Sequence, residues 1–142
     1  MERQIKVLKV APGKVPVPTY IKASIEAFND AVSVGAYEKG IAAAKQLTSG
    51  IYMLSYKDAY FVGLDANRRV NGKIIFGTFY VIGVTKESFP RSLTDAEMQI
   101  FKTRFQMIET FSDEETMDTQ FELFLAALDK TEKSILTNIY HN

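Results

Sequence analysis

Short apolar runs in the first two-thirds of the chain predict β-strands. One run covers 5–10, and two more cover 51–56 and 60–64 with a tight turn at Lys57-Asp58 between them. β-Branched and aromatic residues dominate these runs, which is typical of strands. Residues 15–20 also favour extended backbone. Because their two prolines cannot donate hydrogen bonds within a sheet, they are predicted to form an edge strand.

The longest apolar run predicts a strand in the centre of a sheet. Asn71-Gly72, the strongest hairpin signal in the chain, is predicted to join a short strand at 68–70 to a long strand at 73–85. Both faces of the long strand are apolar, which is typical of a strand covered on both sides. Gly77 and Gly83 lie on one of these faces, where a helix, a ligand or another backbone could approach closely.

Residues 36–47 support two interpretations. The alanines at 42–44 favour a helix. The Thr48-Ser49-Gly50 sequence, directly before the apolar run at 51–56, instead favours a hairpin turn with a strand on either side. We therefore predict a strand here and keep the helix as the alternative.

Two segments in the middle of the chain have the spacing of amphipathic helices. Residues 21–34 carry apolar residues at intervals of three and four and end before Gly35, a suitable C-cap. A second helix is predicted from Thr94 to about Ile108. It opens with the Thr-x-x-Glu form of a capping box, in which the Thr and Glu side chains satisfy the first backbone donors of the helix.

A last helix is predicted to start at Ser112, which repeats the capping form, and to run towards Ile139. Its apolar residues share one face: Met117, Phe121, Phe124, Leu125, Leu128, Ile135 and Ile139. This face would cover the sheet or pack against a second copy of the chain, and the candidate interface consists of Phe121, Phe124, Leu125 and Leu128. The predicted fold class is α+β, with a mostly antiparallel sheet of about six strands and three helices, two of them C-terminal.

Composition narrows the classes of function. The 142 residues, 46% of them hydrophobic, suffice for a single domain with its own core. The absence of Cys excludes disulfides, thiolate metal sites and Cys nucleophiles. Seventeen basic residues balance seventeen acidic ones, which argues against nucleic acid as a partner and leaves little repulsion against self-association. No signal peptide or membrane span is recognised, so a cytoplasmic location is expected.

Four segments resemble a known family. They are the opening at 5–14, a strand that ends in a Pro-Gly-Lys turn, together with 64–68, 75–83 and 92–97. In order and rough spacing they are similar to the domain of unknown function 3846. The resemblance covers about residues 4–106.

The resemblance implies a context rather than a mechanism. The family is associated with bacteriophages and mobile elements, so the cytoplasm would be that of a host bacterium, and it has no established activity to carry over. In such relatives the segment matching 37–47 leads into strands, which supports the strand prediction. This chain departs from the family in having Gly35-Ala36 and an alanine-rich stretch. A C-terminal helical extension at 111–140 lies outside the resemblance.

Asn67, Arg68 and Arg69 form the first candidate ligand-binding site. A guanidinium group offers a planar set of donors that suits phosphate or carboxylate, and Asn67 could contact a ligand or hold a left-handed turn. The alternative is structural: Asn67 shapes the turn before a strand, and the arginines pair with acidic residues at the surface.

Gly77 and Thr78 form the second candidate, because a glycine in a central strand lets a ligand come close. The alternatives here are helix packing and a β-bulge. No phosphate-binding loop motif includes Gly72 or Gly83.

Other chemistry-bearing residues favour ordinary roles. His141 is the only histidine and lies next to the last residue, where preorganised acid–base chemistry is unfavourable. The acidic cluster at 113–118 is explained by helix capping and the helix dipole. Four tyrosines of neighbouring strands could stack bases but fit cross-strand core pairs better: Tyr52, Tyr56, Tyr60 and Tyr80. No catalytic residue, cofactor or metal ligand is predicted.

These observations favour a non-enzymatic binding or interaction protein of a phage or mobile element. It would bind a host protein or a small anionic ligand, in a role against host defence. One alternative is a small enzyme without His or Cys that uses a metal or carboxylates on a phosphorylated substrate. The other is a structural oligomerisation module, with a homodimer as the expected state.

Overall fold

The computed structural model describes residues 3–141, with side chains from residue 3 to residue 128. Its strands are β1 (Gln4–Val10), β2 (Val17–Lys22), β3 (Ala42–Thr48), β4 (Ile51–Tyr56), β5 (Ala66–Val70), β6 (Lys73–Phe76), β7 (Phe79–Val84) and β8 (Pro90–Arg91). The helices are α1 (Ile25–Val32), α2 (Asp95–Phe105) and α3 (Asp113–His141).

The predicted α+β class is confirmed. The strands β2-β1-β7-β4-β3 lie side by side in this order, and β8 pairs with β7 to make a six-stranded sheet in which every pairing is antiparallel. The hairpin of β5 and β6 forms a separate two-stranded sheet. β2, the predicted edge strand with Pro18, pairs with β1 alone.

The large sheet is covered on both faces. α2 packs on one face against a core that includes Leu8, Phe79 and Phe101. α1 packs on the other face against a core that includes Val7 and Tyr80. Burial of apolar side chains on both faces supplies most of the driving force for this arrangement.

A third apolar cluster lies between the small hairpin and α3. Ile74 and Phe76 of β6 are buried there, and Leu123 of α3 packs against them. The hairpin turn at Asn71-Gly72 is confirmed. Both residues have positive φ, 51° and 82°, as the two central residues of a tight hairpin turn require.

The prediction of one continuous strand at 73–85 is wrong. The run divides at Gly77-Thr78 into β6 and β7, which belong to different sheets. Gly77 has φ +83°, a left-handed conformation that breaks the extended backbone and suits glycine. Gly83 was predicted to allow the close approach of a helix, a ligand or another backbone. In the structure, the side chain of Arg91 approaches it instead and occupies the space of a Cβ.

The prediction of a strand at 60–64 is also wrong. The segment forms bends, and Phe61 and Gly63 have positive φ values of 52° and 78° that extended pairing does not permit. Tyr60, which was predicted to lie in this strand, therefore lies outside the sheet and packs against Phe124 of α3.

Two helices and one strand have bounds that differ from the predicted ones. α1 begins only after Ser24, whose hydroxyl accepts a hydrogen bond from the backbone of Ala27, so residues 21–22 belong to β2. α2 starts at the predicted capping box, with Thr94 and Glu97 bonded reciprocally, and ends at Phe105 rather than near residue 108. The strand preferred at 36–47 is confirmed from residue 42 onwards.

Candidate functional site

Arg68 is a buried arginine whose donors all have partners. It lies in β5 and is 1% exposed. Its Nη1 donates to the carbonyl of Ala11 at 3.0 Å and to Oδ1 of Asn67 at 2.8 Å. Its Nη2 donates to the carbonyl of Lys14 at 2.7 Å, and both Nη2 and Nε donate to the carbonyl of Phe105 at 2.9 and 3.1 Å. All five N–H groups of a guanidinium are thereby occupied.

The charge of Arg68 is balanced by dipoles instead of a bonded carboxylate. Burial lowers the pKa of the guanidinium, and the charge of Glu109 opposes that shift. The Phe105 carbonyl is at the C-terminus of α2, where the helix dipole is negative, so it is a favourable acceptor for a cation. Arg68 therefore ties the end of α2 to the turn at residues 11–14.

Asn67 joins two further parts of the same region. It is fully buried, and its Nδ2 donates to the carbonyls of Val10 and Gly77, each at 2.8 Å. The end of β1 is thus fixed to the break between β6 and β7. We call the pair Asn67 and Arg68 the polar bracket. Its side chains bond to the protein itself, so its contribution to a ligand site would be to position the walls.

Arg69 points away from the bracket. It is exposed, and it pairs with Glu115 of α3 and at 3.9 Å with Glu109. Its guanidinium also lies 4.8 Å from the centre of the Phe111 ring. A hydrogen bond from the Ser112 backbone, followed by the contact with Arg69, lowers the pKa of Glu115. This geometry fits the structural alternative, in which the arginine pairs with surface acids.

Two adjoining cavities lie on the outer side of the 11–14 turn. The smaller one, about 240 Å³, lies between this turn, the Gly77-Thr78 break and residues 63–65. The larger one, about 460 Å³, continues along the start of β2. Lys9, Ala11 and Lys14 line both of them. We call the two cavities together the lysine cleft.

The charges of the lysine cleft are unbalanced. Within residues 3–128, neither Lys9 nor Lys14 forms an ion pair or a side-chain hydrogen bond, and Asp65 is the one acidic residue that lines the cleft. Thr78, 6% exposed, lines the smaller cavity with Gly77. A Cβ added to Gly77 would lie 3.0 Å from Leu64, so this wall is closely packed.

Two other large cavities have a different character. One of about 470 Å³, under α3, is lined by Lys57 and Lys73 but also by Asp58 and Glu122, so its charges balance. Another of about 440 Å³, beside α1, is lined by no charged residue. Compared with these two cavities, the lysine cleft has an excess of positive charge.

Chemistry-bearing residues elsewhere take structural roles. Tyr80 is buried in the core, which raises the pKa of its hydroxyl, and Tyr52 and Tyr56 pack partly buried against the same cluster. Within residues 3–128, no group of three or more acidic or histidine side chains is placed to hold a metal ion. The side chain of His141, the only histidine of the sequence, lies outside the described residues.

The exposed face of α3 carries the predicted interface. Phe121, Leu125 and Leu128 are 54%, 43% and 45% exposed. Phe124 is half-buried, with its ring 5.7 Å from those of Tyr60 and Phe61. Ile135 and Ile139, which were predicted to extend this face, lie outside the residues whose side chains are described. None of the helices in the described part of the chain has both the length and the apolar character needed to cross a bilayer.

Comparisons with models of protein families, with curated proteins and with solved structures gave no match. The resemblance to the domain of unknown function 3846 therefore stays a prediction. Of the residues singled out from sequence, the structure brings Asn67, Arg68, Gly77 and Thr78 together and separates Arg69 from them. Sequence reasoning missed Lys9 and Lys14, although a lysine inside an apolar strand and a Pro-Gly-Lys turn were both visible.

Proposed function

We propose that this protein is a non-enzymatic binding protein that takes a small anionic ligand in the lysine cleft. The observation that carries the proposal is the pair Lys9 and Lys14, which line both cavities and have no acidic partner within residues 3–128. Two cations beside one carboxylate leave a net positive potential, which an anion would neutralise.

The walls of the cleft support a preorganised site. The polar bracket fixes the backbone of the 11–14 turn and of Gly77 through bonds of 2.7–3.0 Å. A ligand would therefore meet a cleft whose main chain is already ordered, which lowers the entropic cost of binding. The phage or mobile-element origin, and the role against host defence, stay predictions that rest on the family resemblance.

Titration with inorganic phosphate, followed by amide NMR at constant ionic strength, tests the proposal. We expect saturable shift changes confined to residues 9–14 and 77–78. The variant Lys9→Gln/Lys14→Gln should abolish them. The control Lys45→Gln/Lys86→Gln removes the same charge from exposed positions outside the cleft and should retain them.

Two results would overturn the proposal. One is a wild-type titration without saturation or with shifts spread over the whole surface. The other is an equal loss in both double variants, because that would reflect net charge alone.

The alternative of a small enzyme has less support in the geometry. It predicts a pocket in which Arg68 faces two carboxylates. Arg68 instead bonds to carbonyl and amide oxygens, and none of its five hydrogen bonds goes to a carboxylate.

Self-association through α3 is a second candidate function, favoured by the exposure of Phe121, Leu125 and Leu128 on one helix. Sedimentation velocity over a range of concentrations tests it. We expect a dimer that Phe121→Glu/Leu128→Glu converts to a monomer, while Ser49→Glu/Gln99→Glu, exposed positions off this helix, leaves it intact. A wild-type monomer at high concentration would remove this candidate.

A further inference from the structure

We propose that the ligand of the lysine cleft is an amphipathic anion, whose charged group lies at the two lysines and whose apolar group lies in the larger cavity. The inference rests on the proposed function, because it names the class of ligand that the same cleft would take. It adds to the charged group an apolar group, which inorganic phosphate lacks.

The first support is the lining of the larger cavity. Besides Lys9 and Lys14, it contains the apolar side chains of Val15, Val17 and Ile108. These side chains are 59%, 46% and 43% exposed, respectively. Covering them with an apolar group would remove apolar surface from water, which favours binding in proportion to the area buried.

The second support is the strand register. Val17 lies directly opposite Lys9 in the antiparallel pairing of β1 and β2. Opposite residues of an antiparallel pair project from the same face with their Cβ atoms about 5 Å apart. A cation and an apolar side chain are therefore neighbours on one face, which is the combination that an amphipathic anion requires.

The third support is the position of Ile108. α2 ends at Phe105, where Arg68 holds the carbonyl, and the chain then brings Ile108 to the cavity. The same arginine holds the carbonyl of Lys14 on the cationic side. One buried side chain thus positions both the charged and the apolar parts of the cleft.

A homologous series of soluble alkyl phosphates, from methyl to octyl, tests the inference below their micelle concentrations. Affinity measured by amide NMR should rise by about two- to fourfold for each added methylene until the cavity is filled. The variant Val17→Ser/Ile108→Ser should remove this dependence, so that octyl phosphate binds about as tightly as methyl phosphate. The control Ile100→Ser/Met107→Ser alters exposed apolar residues outside the cleft and should keep the dependence.

A free amphiphile and a lipid headgroup share this chemistry, and a second arm separates them. Wild-type protein that sediments with phosphatidylglycerol vesicles, but not after Lys9→Gln/Lys14→Gln, would assign the ligand to a membrane lipid. Wild-type protein that binds octyl phosphate and stays in the supernatant would assign it to a soluble amphiphile.

The two proposals fail in different ways. Absence of methyl phosphate and phosphate binding at residues 9–14 would overturn the proposed function and this inference with it. Methyl and octyl phosphate binding there with equal affinity would overturn this inference alone. Equal loss of the chain-length dependence in both serine variants would also overturn it.

Discussion

The turn at residues 11–14 separates two cationic environments that satisfy their charge in opposite ways. On its inner side, Arg68 donates five hydrogen bonds to neutral oxygens and is almost without contact with water. On its outer side, Lys9 and Lys14 have no ion-pair partner within residues 3–128. A cation whose donors are all bonded to the protein therefore belongs to the scaffold, whereas a cation whose donors are unbonded is a candidate for binding a ligand.

Two other arginines are intermediate between the fully bonded, buried Arg68 and the unpaired lysines. Arg91 binds Glu97 through two hydrogen bonds of 2.8 and 2.9 Å, and both side chains are partly shielded. Arg69 pairs with acids while it remains exposed. We expect a cation to stabilise the fold more when it is shielded from solvent and when more of its donors are hydrogen-bonded. Loss of the contacts of these arginines should therefore lower the free energy of unfolding most for Arg68, less for Arg91 and least for Arg69.

The largest effect is expected for Arg68→Met. This change keeps an apolar stem but leaves Oδ1 of Asn67 and the carbonyl of Phe105 without their donor in a buried place, and the carbonyl of Lys14 without its donor in a partly buried one. Buried acceptors without partners are costly, so the free energy of unfolding should fall by about 3–5 kcal/mol. Urea denaturation measures it. A loss no larger than that of Arg69→Met would contradict the difference proposed between the buried and the exposed arginine.

An intermediate effect is expected for Glu97→Gln. The Arg91 guanidinium lowers the pKa of Glu97 to about 2, with burial opposing and the Thr94 backbone assisting. Glutamine still accepts the capping hydrogen bond but carries no charge. The free energy of unfolding at pH 7 should therefore fall by about 1–2 kcal/mol.

The pH dependence of the stability provides a second test of the Glu97–Arg91 pair. Because the folded pKa of Glu97 is depressed below its ordinary 4.5, the stabilisation is complete above that value and is lost as the pH falls towards 2. Stability curves of wild type and Glu97→Gln should converge across this window. The exposed Glu87→Gln serves as a control and should show no such convergence.

The smallest effect is expected for Arg69→Met. Its ion pairs are exposed to solvent and screened by salt, so the free energy of unfolding should change by less than about 1 kcal/mol. The difference should shrink further in high salt. A loss comparable to that of Arg68→Met would show that exposure is not the deciding factor.

Most of the correct predictions about the fold came from short sequence motifs. The capping box at Thr94 and the hairpin turn at Asn71-Gly72 depend on neighbours within a few residues, and both were predicted correctly. The break at Gly77 was not predicted, because a glycine in an apolar run is also compatible with a central strand. What decides it is the bond from Asn67 and the packing of Leu64, both tertiary contacts.

The candidate site was predictable only in outline. Sequence drew attention to Asn67, Arg68, Gly77 and Thr78, and these residues do lie together. The sequence does not show which cations face inward, because four of the five hydrogen bonds of Arg68 go to residues 11, 14 and 105, which are far from it along the chain. It missed Lys9 and Lys14 for the same reason, since their lack of partners is a property of the folded surface.

The position of β7 between β1 and β4 has a consequence for folding kinetics. The β1–β2 and β3–β4 hairpins can form from local contacts, but Leu8 pairs with Val81, which comes much later in the chain. Closing such a long loop is entropically slow. During synthesis on the ribosome, the two hairpins would therefore have unpaired inner edges until β7 emerges and pairs with both of them.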